Sequence, residues 1–496
     1  MAIYTKNIIR CLAIAFLMTF FVCHDEALAQ YIGTSTNYAG SRALAVNPSL
    51  MTTAFVYADF GLNLGASAYN DFAYLHASDY YRLLNGENPS DYYINGRRYD
   101  VGFLINSKYK NVNETFDFNL LSAMYNRDGK HAFGIFINNR VYTSAKRIPW
   151  EILEASLKSI DSTFYDRNYV SKNTRVSMMA WSEIGLSYAS TVYDYDYDKV
   201  DFGITAKGLL GYTGVALNLN KVDKDIIDKN TSIIHSLNMM AVMSAPIDYG
   251  AKFSDGEIFD ANQIVNGYGL GFDIGFTYTR KTSDKLITAS KHACVAPKIN
   301  YRWRLGVSLL DVGAISFKNN AKVYKFLSDT DKTFDVREIE GSEDFNDMMD
   351  RLSGMFYDDP SDADAGSKFM MGLPTAMSVQ FDYKLAKNIY VNATWMQPLR
   401  LLRYSARRPA QVVVEPRFES RYFDITMPVT LYNYKKIFLG AEVRLAFLTI
   451  GTHNIFNFLG VGESYGLDAY VALKFNFYKG KCFGGRRDAC WNANFQ

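Results

Sequence analysis

Beyond residue 29 the sequence has no apolar run approaching the roughly 20 residues that a helical span needs, which excludes a helical inner-membrane protein. Neither sign of charge is in excess. The 53 basic and 51 acidic residues leave a formal net charge of +2, so the basic surplus or patch of a nucleic-acid binder is missing and no nucleic-acid partner is expected. Histidine is scarce and scattered. His76, His131, His235, His292 and His453 have no Ser or Asp at a recognisable catalytic spacing, and no ligand cluster stands near them. The expectation is therefore a protein that is not an enzyme and carries no metal or cofactor. Cysteine is rare too: of five, Cys11 and Cys23 fall in the N-terminal leader.

That leader, residues 1–29, reads as a secretory signal peptide. It has Lys6 and Arg10, an apolar run from Leu12 to Val22, and the small-x-small site Ala27-Leu28-Ala29. Lipoprotein processing at Cys23 is the competing reading, but Phe20, Phe21 and Val22 are bulky for that site. The exported context favours a disulfide between Cys482 and Cys490, which bracket a short glycine-containing loop in a tail of residues 479–496. A metal is the alternative for that pair, although no His or third Cys lies close. Cys294 is left as an unpaired thiol.

What is abundant is aromatic and glycine: 36 Tyr, 34 Phe and 34 Gly, a mixture that suits the interfaces and crowded backbones of a β-barrel. The clearest stretch is GYGLGFDIGFTY. Tyr268, Leu270, Phe272, Ile274, Phe276 and Tyr278 share one face, while Gly269, Gly271, Asp273, Gly275 and Thr277 share the other. Aromatics bound the apolar face, and the opposite face is glycine and carboxylate rather than a solvated surface. An apolar-out, polar-in strand with aromatic ends is the pattern of a transmembrane β-strand.

The chain repeats it. Residues 56–66 alternate, and residues 115–141 form a hairpin around Asp128-Gly129. A second hairpin joins 177–193 to 199–212, and alternation returns at 298–317, 377–395, 423–443 and 467–477. Residues 71–100 and the acidic 318–371 read as long loops, the latter partly helical around 342–355. A helix is expected at 149–160, and a less regular strand at 231–245. Residues 358–364 are rich in Asp but lack the ordered spacing and terminal Glu of a calcium loop. The fold class is thus all-β: a transmembrane antiparallel barrel of about 14 strands over residues 52–478, with long extracellular loops. Up-down alternation fails to close between 199 and 267, so either a strand is missed there or one of those strands does not span. Residues 30–51 have no strand period, and Ile32, Leu44, Val46 and Leu50 among turn residues favour an ordered plug or hatch.

With these residues laid out, the chain resembles the FadL-like superfamily of outer-membrane barrels, and within it the Bacteroidota branch that includes the type IX secretion barrel PorV. The matching pieces are Asn47-Pro48-Ser49, GYGLGFDIGFTY, LGVSLLDVGAISF at 305–317 and GLPTAMSVQFDY at 372–383. The resemblance implies 14 strands, a lumen occluded by the N-terminal segment, and a Gram-negative outer-membrane location. Asn47, Pro48 and Ser49 would belong to the hatch. Asp59, Asp273, Arg302, Arg304, Asp382, Glu442, Arg444, Asp468 and Lys474 would face the lumen, lining a path or bracing a closed barrel as satisfied pairs. Two roles are expected of such a barrel beyond its contact with lipid: passage or binding of a small hydrophobic molecule, or service as a PorV-like adaptor for a secreted or surface protein.

Overall fold

The computed structural model describes residues 32–87, 92–94, 97–99, 101–104, 109–150, 165–254, 259–282 and 299–478. The leader, Cys294, Cys482, Cys490 and most of the helix expected at 149–160 lie outside the described residues. The principal strands are β1 (Ala58–Asn70), β2 (Lys110–Asn126), β3 (His131–Ile148), β4 (Arg167–Tyr195), β5 (Asp198–Ile226) and β6 (Thr231–Ser244). They continue with β7 (Gly267–Lys281), β8 (Tyr301–Phe317), β9 (Ala321–Ser328), β10 (Lys332–Asp335), β11 (Phe369–Gly372), β12 (Ala376–Ala386), β13 (Ile389–Pro398) and β14 (Gln411–Glu419). The last are β15 (Phe423–Thr426), β16 (Val429–Tyr432), β17 (Lys436–Leu439), β18 (Ala441–Leu445), β19 (Leu448–Thr452) and β20 (Gly466–Phe477).

They close a 14-strand antiparallel barrel in which β11–β12, β15–β16 and β17–β18 each make one interrupted stave. The ring shuts where β20 runs antiparallel to β1, from Ala58 opposite Phe477 to Tyr69 opposite Gly466. Phe60 and Phe475 stack across that seam on the outside, 5.1 Å between centroids. One end of the barrel carries tight turns. At Asn126–His131 the Asn126 side chain accepts from the Gly129 amide, and Asp128 accepts from the amides of Lys130 and His131. The other end carries most of the long connections, although the 282–300 connection between β7 and β8 leaves from the turn end.

The direction of the side chains decides where the fold lives. On β7, Tyr268, Leu270, Phe272 and Phe276 are 64, 65, 44 and 52% exposed, whereas Asp273 and Thr277 are 2 and 1% exposed. The apolar faces look outward from a closed ring and the charges are inside, so lipid, not a second protein layer, covers the aromatic belt. The expected inward position of Arg302 is corrected: it is exposed. A bulge between β7 and β8 sets Lys281 opposite Tyr301 directly after Arg280 opposite Trp303, which brings Tyr301 inside and leaves Arg302 as the extra residue.

The failed alternation between 199 and 267 has a simple cause: β6 does not span. It pairs with the outer half of β5, from Ser232 opposite Ile226 to Ser244 opposite Gly214, and with β9 and β10 on its other side. Together with the outer half of β4 these strands form a sheet that projects beyond the barrel mouth. The helix Phe345–Gly354, capped by Asp344, lies over that sheet, with its Met349 and the following Phe356 among Val222, Ile234, Leu237 and Phe326. Besides the helix expected there, the acidic stretch read as a loop therefore contains β9, β10, a short strand at Asp364–Gly366 and the start of β11.

Candidate functional site: a plugged and layered lumen

The chain before β1 sits inside the barrel as two short 3-10 turns, Gly40–Ala45 and Pro48–Thr53. Asn47 organises the second. Its side-chain oxygen accepts from the amide and hydroxyl of Ser49 at 3.0 and 2.7 Å, while its nitrogen donates to the Phe276 carbonyl at 3.1 Å and Gln380 at 3.0 Å. Pro48 takes the first helical position, where no amide donor is required. The Ser49 hydroxyl bonds Thr277 on β7 at 2.7 Å.

This close docking explains some of the glycine. A Cβ on Gly203 would stand 2.4 Å from the Ser49 nitrogen, and one on Gly275 would stand 2.1 Å from the Asn47 oxygen. The plug lies directly on the wall because β5 and β7 have no side chains there.

Below, towards the tight turns, ion pairs fasten the plug. Asp382 takes Arg304 at 2.6 Å, Arg417 at 2.9 Å and the Tyr301 hydroxyl at 2.6 Å. Arg304 also donates to the Ser35 carbonyl and to Thr53, and Glu419 accepts from the side chain of Asn37 at 2.8 Å. Glu442 pairs with Arg42 at 3.0 Å. Asp59 receives the Ser41 amide, and Lys474 donates to the carbonyls of Tyr38 and Ala39. Arg444 instead ties Asp424 to the 420–421 turn carbonyls. Asp468 stands apart, near the loop end, accepting from Tyr69 and the His453 amide.

A second ionic belt crosses the middle of the lumen; alternation turns Asp273 and Lys207 inward, and the other members were not expected. Arg140 is its hub, pairing with Asp117 at 2.8 Å, Asp311 at 3.0 Å and Glu183 at 3.3 Å. Lys207 bridges Asp273 at 2.8 Å and Asp311 at 2.5 Å, and Arg408 reaches Asp311 from the 399–410 loop. Asp311 enters the lumen through a second bulge of β8, at φ 54°, where its amide donates to Asp273. Strict alternation carries Asp311 onto the outward face with Leu309, and only the bulge turns it inward, so the pattern gave no signal of it. Between this belt and the plug lies a cavity of about 90 Å³, water-sized rather than a through-channel.

Towards the loop end the wall changes character. Register carries Arg140 to Tyr142 on β3, Glu183 to Trp181 and Met179 on β4, and Lys207 to Leu209 on β5. Those residues pack inside the barrel with Ile315, Phe317, Met371 and Leu373 in an apolar collar.

These features define a transmembrane β-barrel of outer-membrane type whose lumen is filled by its own N-terminal segment. The chain belongs to a family of unknown function, DUF5723, whose profile matches residues 48–453. Among curated proteins nothing matches the chain. Solved structures to which it is similar include a deltaS2 mutant of the TodX monoaromatic hydrocarbon channel, at TM-score 0.39 and 10% identity over 89% of this chain and 95% of that one. The Ralstonia pickettii toluene transporter TbuX follows at 0.34 and 11%, over 89% of this chain and 95% of that one. The Pseudomonas putida toluene transporter TodX stands at 0.31 and 9%, over 90% and 97%. Such scores carry no function from those barrels to this one.

Proposed function

We propose that the protein is a gated outer-membrane barrel that binds or passes small hydrophobic molecules, with residues 32–57 as the gate. The observation that carries the reading is the apolar collar inside the lumen, because the interior of a simple water-filled barrel is polar. The gate is fastened by hydrogen bonds and ion pairs to the wall, which can exchange for water without a covalent step. No chemistry is assigned to it. His131 bonds Tyr188 at the turn end, His453 bonds Thr430 inside the barrel, and His235 lies in the projecting sheet, so these histidines share no site.

The test is uptake of a fluorescent fatty acid by liposomes holding the full chain, beside a Thr277→Val variant that loosens Ser49. Binding or uptake that rises in the variant, while a charged dye of equal size stays out, supports the reading. If neither protein binds or passes the fatty acid, the reading fails.

A second reading, a PorV-like adaptor for a secreted or surface protein, draws on the projecting sheet, which a passage does not require. Co-purification of one defined protein from native membranes, lost when residues 321–366 are replaced by a short turn, would favour it.

A further inference from the structure

Above the apolar collar the mouth of the lumen narrows to a recess of about 10 Å³ with an unusual charge balance, room for a single water. A larger ligand would therefore sit on its rim, where Arg400 and Arg403 are exposed. Following β3 and β4 outward by register, Tyr142 opposite Met179 gives way to Ser144 opposite Ser177, and then to Lys146 opposite Arg175. The 399–410 connection folds over this mouth and adds Arg400, Arg403 and Arg407 to the same recess. Its backbone is pinned to the wall: the Gly372 amide donates to the Tyr404 carbonyl at 2.9 Å, and the Ala406 amide donates back to Gly372 at 3.0 Å. Arg400 wraps the turn by donating to the carbonyls of Leu402 and Arg403, and the Arg403 guanidinium lies over the Tyr404 ring.

Five cationic side chains thus line one recess. Among the described residues no carboxylate pairs with any of them. Elsewhere in the same lumen the opposite holds: Arg140, Lys207, Arg304, Arg408, Arg417 and Arg444 each contact a carboxylate. Like charges gathered on a fixed scaffold repel, and the repulsion is relieved by an anion that bridges them. Guanidinium groups present paired donors suited to phosphate oxygens, and Ser144, Ser177 and Asn218 add neutral polar groups to the recess.

We propose that the outer mouth of the lumen is a binding site for a multiply charged anionic group of phosphate chemistry, held by Lys146 and Arg175 from the wall with Arg400, Arg403 and Arg407 from the loop. The phosphate is carried either by a soluble solute or by a lipid headgroup of the outer leaflet. The site does not depend on whether the barrel conducts, since it is formed by wall and loop above the collar.

The experiment titrates inorganic pyrophosphate into the full chain in an uncharged detergent, followed by calorimetry, and repeats it with Arg175→Gln/Arg407→Gln and with Arg403→Gln. Heat-modifiable migration confirms that each variant is a folded barrel. Saturable binding that weakens with added salt, and that falls about tenfold or more in the double variant, supports the proposal for a soluble phosphate. In the second arm the chain is reconstituted in phosphatidylcholine vesicles with or without lipid A. Protection of Arg403 from a guanidine-modifying reagent by lipid A, with no response to pyrophosphate, supports the headgroup source. Binding of neither probe by the folded wild type, or equal binding by wild type and double variant, overturns it.

Discussion

Strands β4 and β5 run through two environments, and their inner and outer halves solve the same problem oppositely. In the barrel half, Ile184 and Leu186 face outward and are exposed to lipid, while Glu183 and Lys207 are buried inside. In the projecting half, Val222 and Ile226 are buried and Lys221 is exposed, because the helix Phe345–Gly354 and the strands beside it supply a protein cover. The bulge at Tyr212 marks the change: β5 pairs Gly211 with Trp181 and then Thr213 with Ala180, which shifts the phase of the strand. One continuous ladder is therefore organised by charge inside the membrane and by apolar packing outside it.

Removing the hub of the charged half should have the largest effect. Arg140→Met leaves Asp117, Glu183 and Asp311 sharing fewer cations in a buried setting, and about 3–5 kcal/mol of barrel stability should be lost. Urea unfolding from lipid vesicles measures it; a loss below about 1 kcal/mol would mean that the belt is wet and screened.

Phe326→Ala should cost about 3 kcal/mol of packing in the projection alone. Hydrogen exchange should rise across β6 and β9 while β1, β7 and β20 stay protected. Equal loosening of both halves would erase the distinction between them.

Gly203→Ala places a methyl against the plug backbone and should cost about 1–3 kcal/mol, spent on displacing residues 47–53 rather than on the wall. Limited proteolysis of the plug, read by mass spectrometry, should accelerate with the barrel band unchanged.

The smallest effect concerns pH. His235 is held between Asp331 at 2.8 Å and Asp225 at 3.0 Å, and these partners raise its pKa above the ordinary imidazole value of 6.5. The bonus to the projecting sheet is fully present below that ordinary value and fades as pH rises through the elevated one. Exchange at β6 should increase modestly over that interval, and Asp331→Asn should flatten the change. A flat profile in the unaltered protein would show that the contact is screened away.

Legibility in the sequence followed the same boundary. Where lipid covers one face, as on β7, alternation was sharp enough to assign every side chain. Arg302 misled because a bulge adds one residue without changing composition. β14 was hard to read because Pro416 interrupts the apolar run Val412–Val414; in the barrel it faces the interruption between β15 and β16, where no donor is required. Its inward Glu415, Arg417 and Glu419 were lost with it. The hub Arg140 and the basic mouth depend on residues far apart in the chain, which only closure of the ring brings together. β6 looked irregular because it answers to a helix and two short strands rather than to lipid.

The plug also straddles the place where the ring closes. Asp59 on the first stave and Lys474 on the last both reach the same few residues, Tyr38, Ala39 and Ser41. The final zipper of biogenesis is therefore buttoned by the peptide that leads it. A chain that closed with its leading segment left outside would carry a buried carboxylate and a buried ammonium without their backbone partners, at the joint least able to tolerate them.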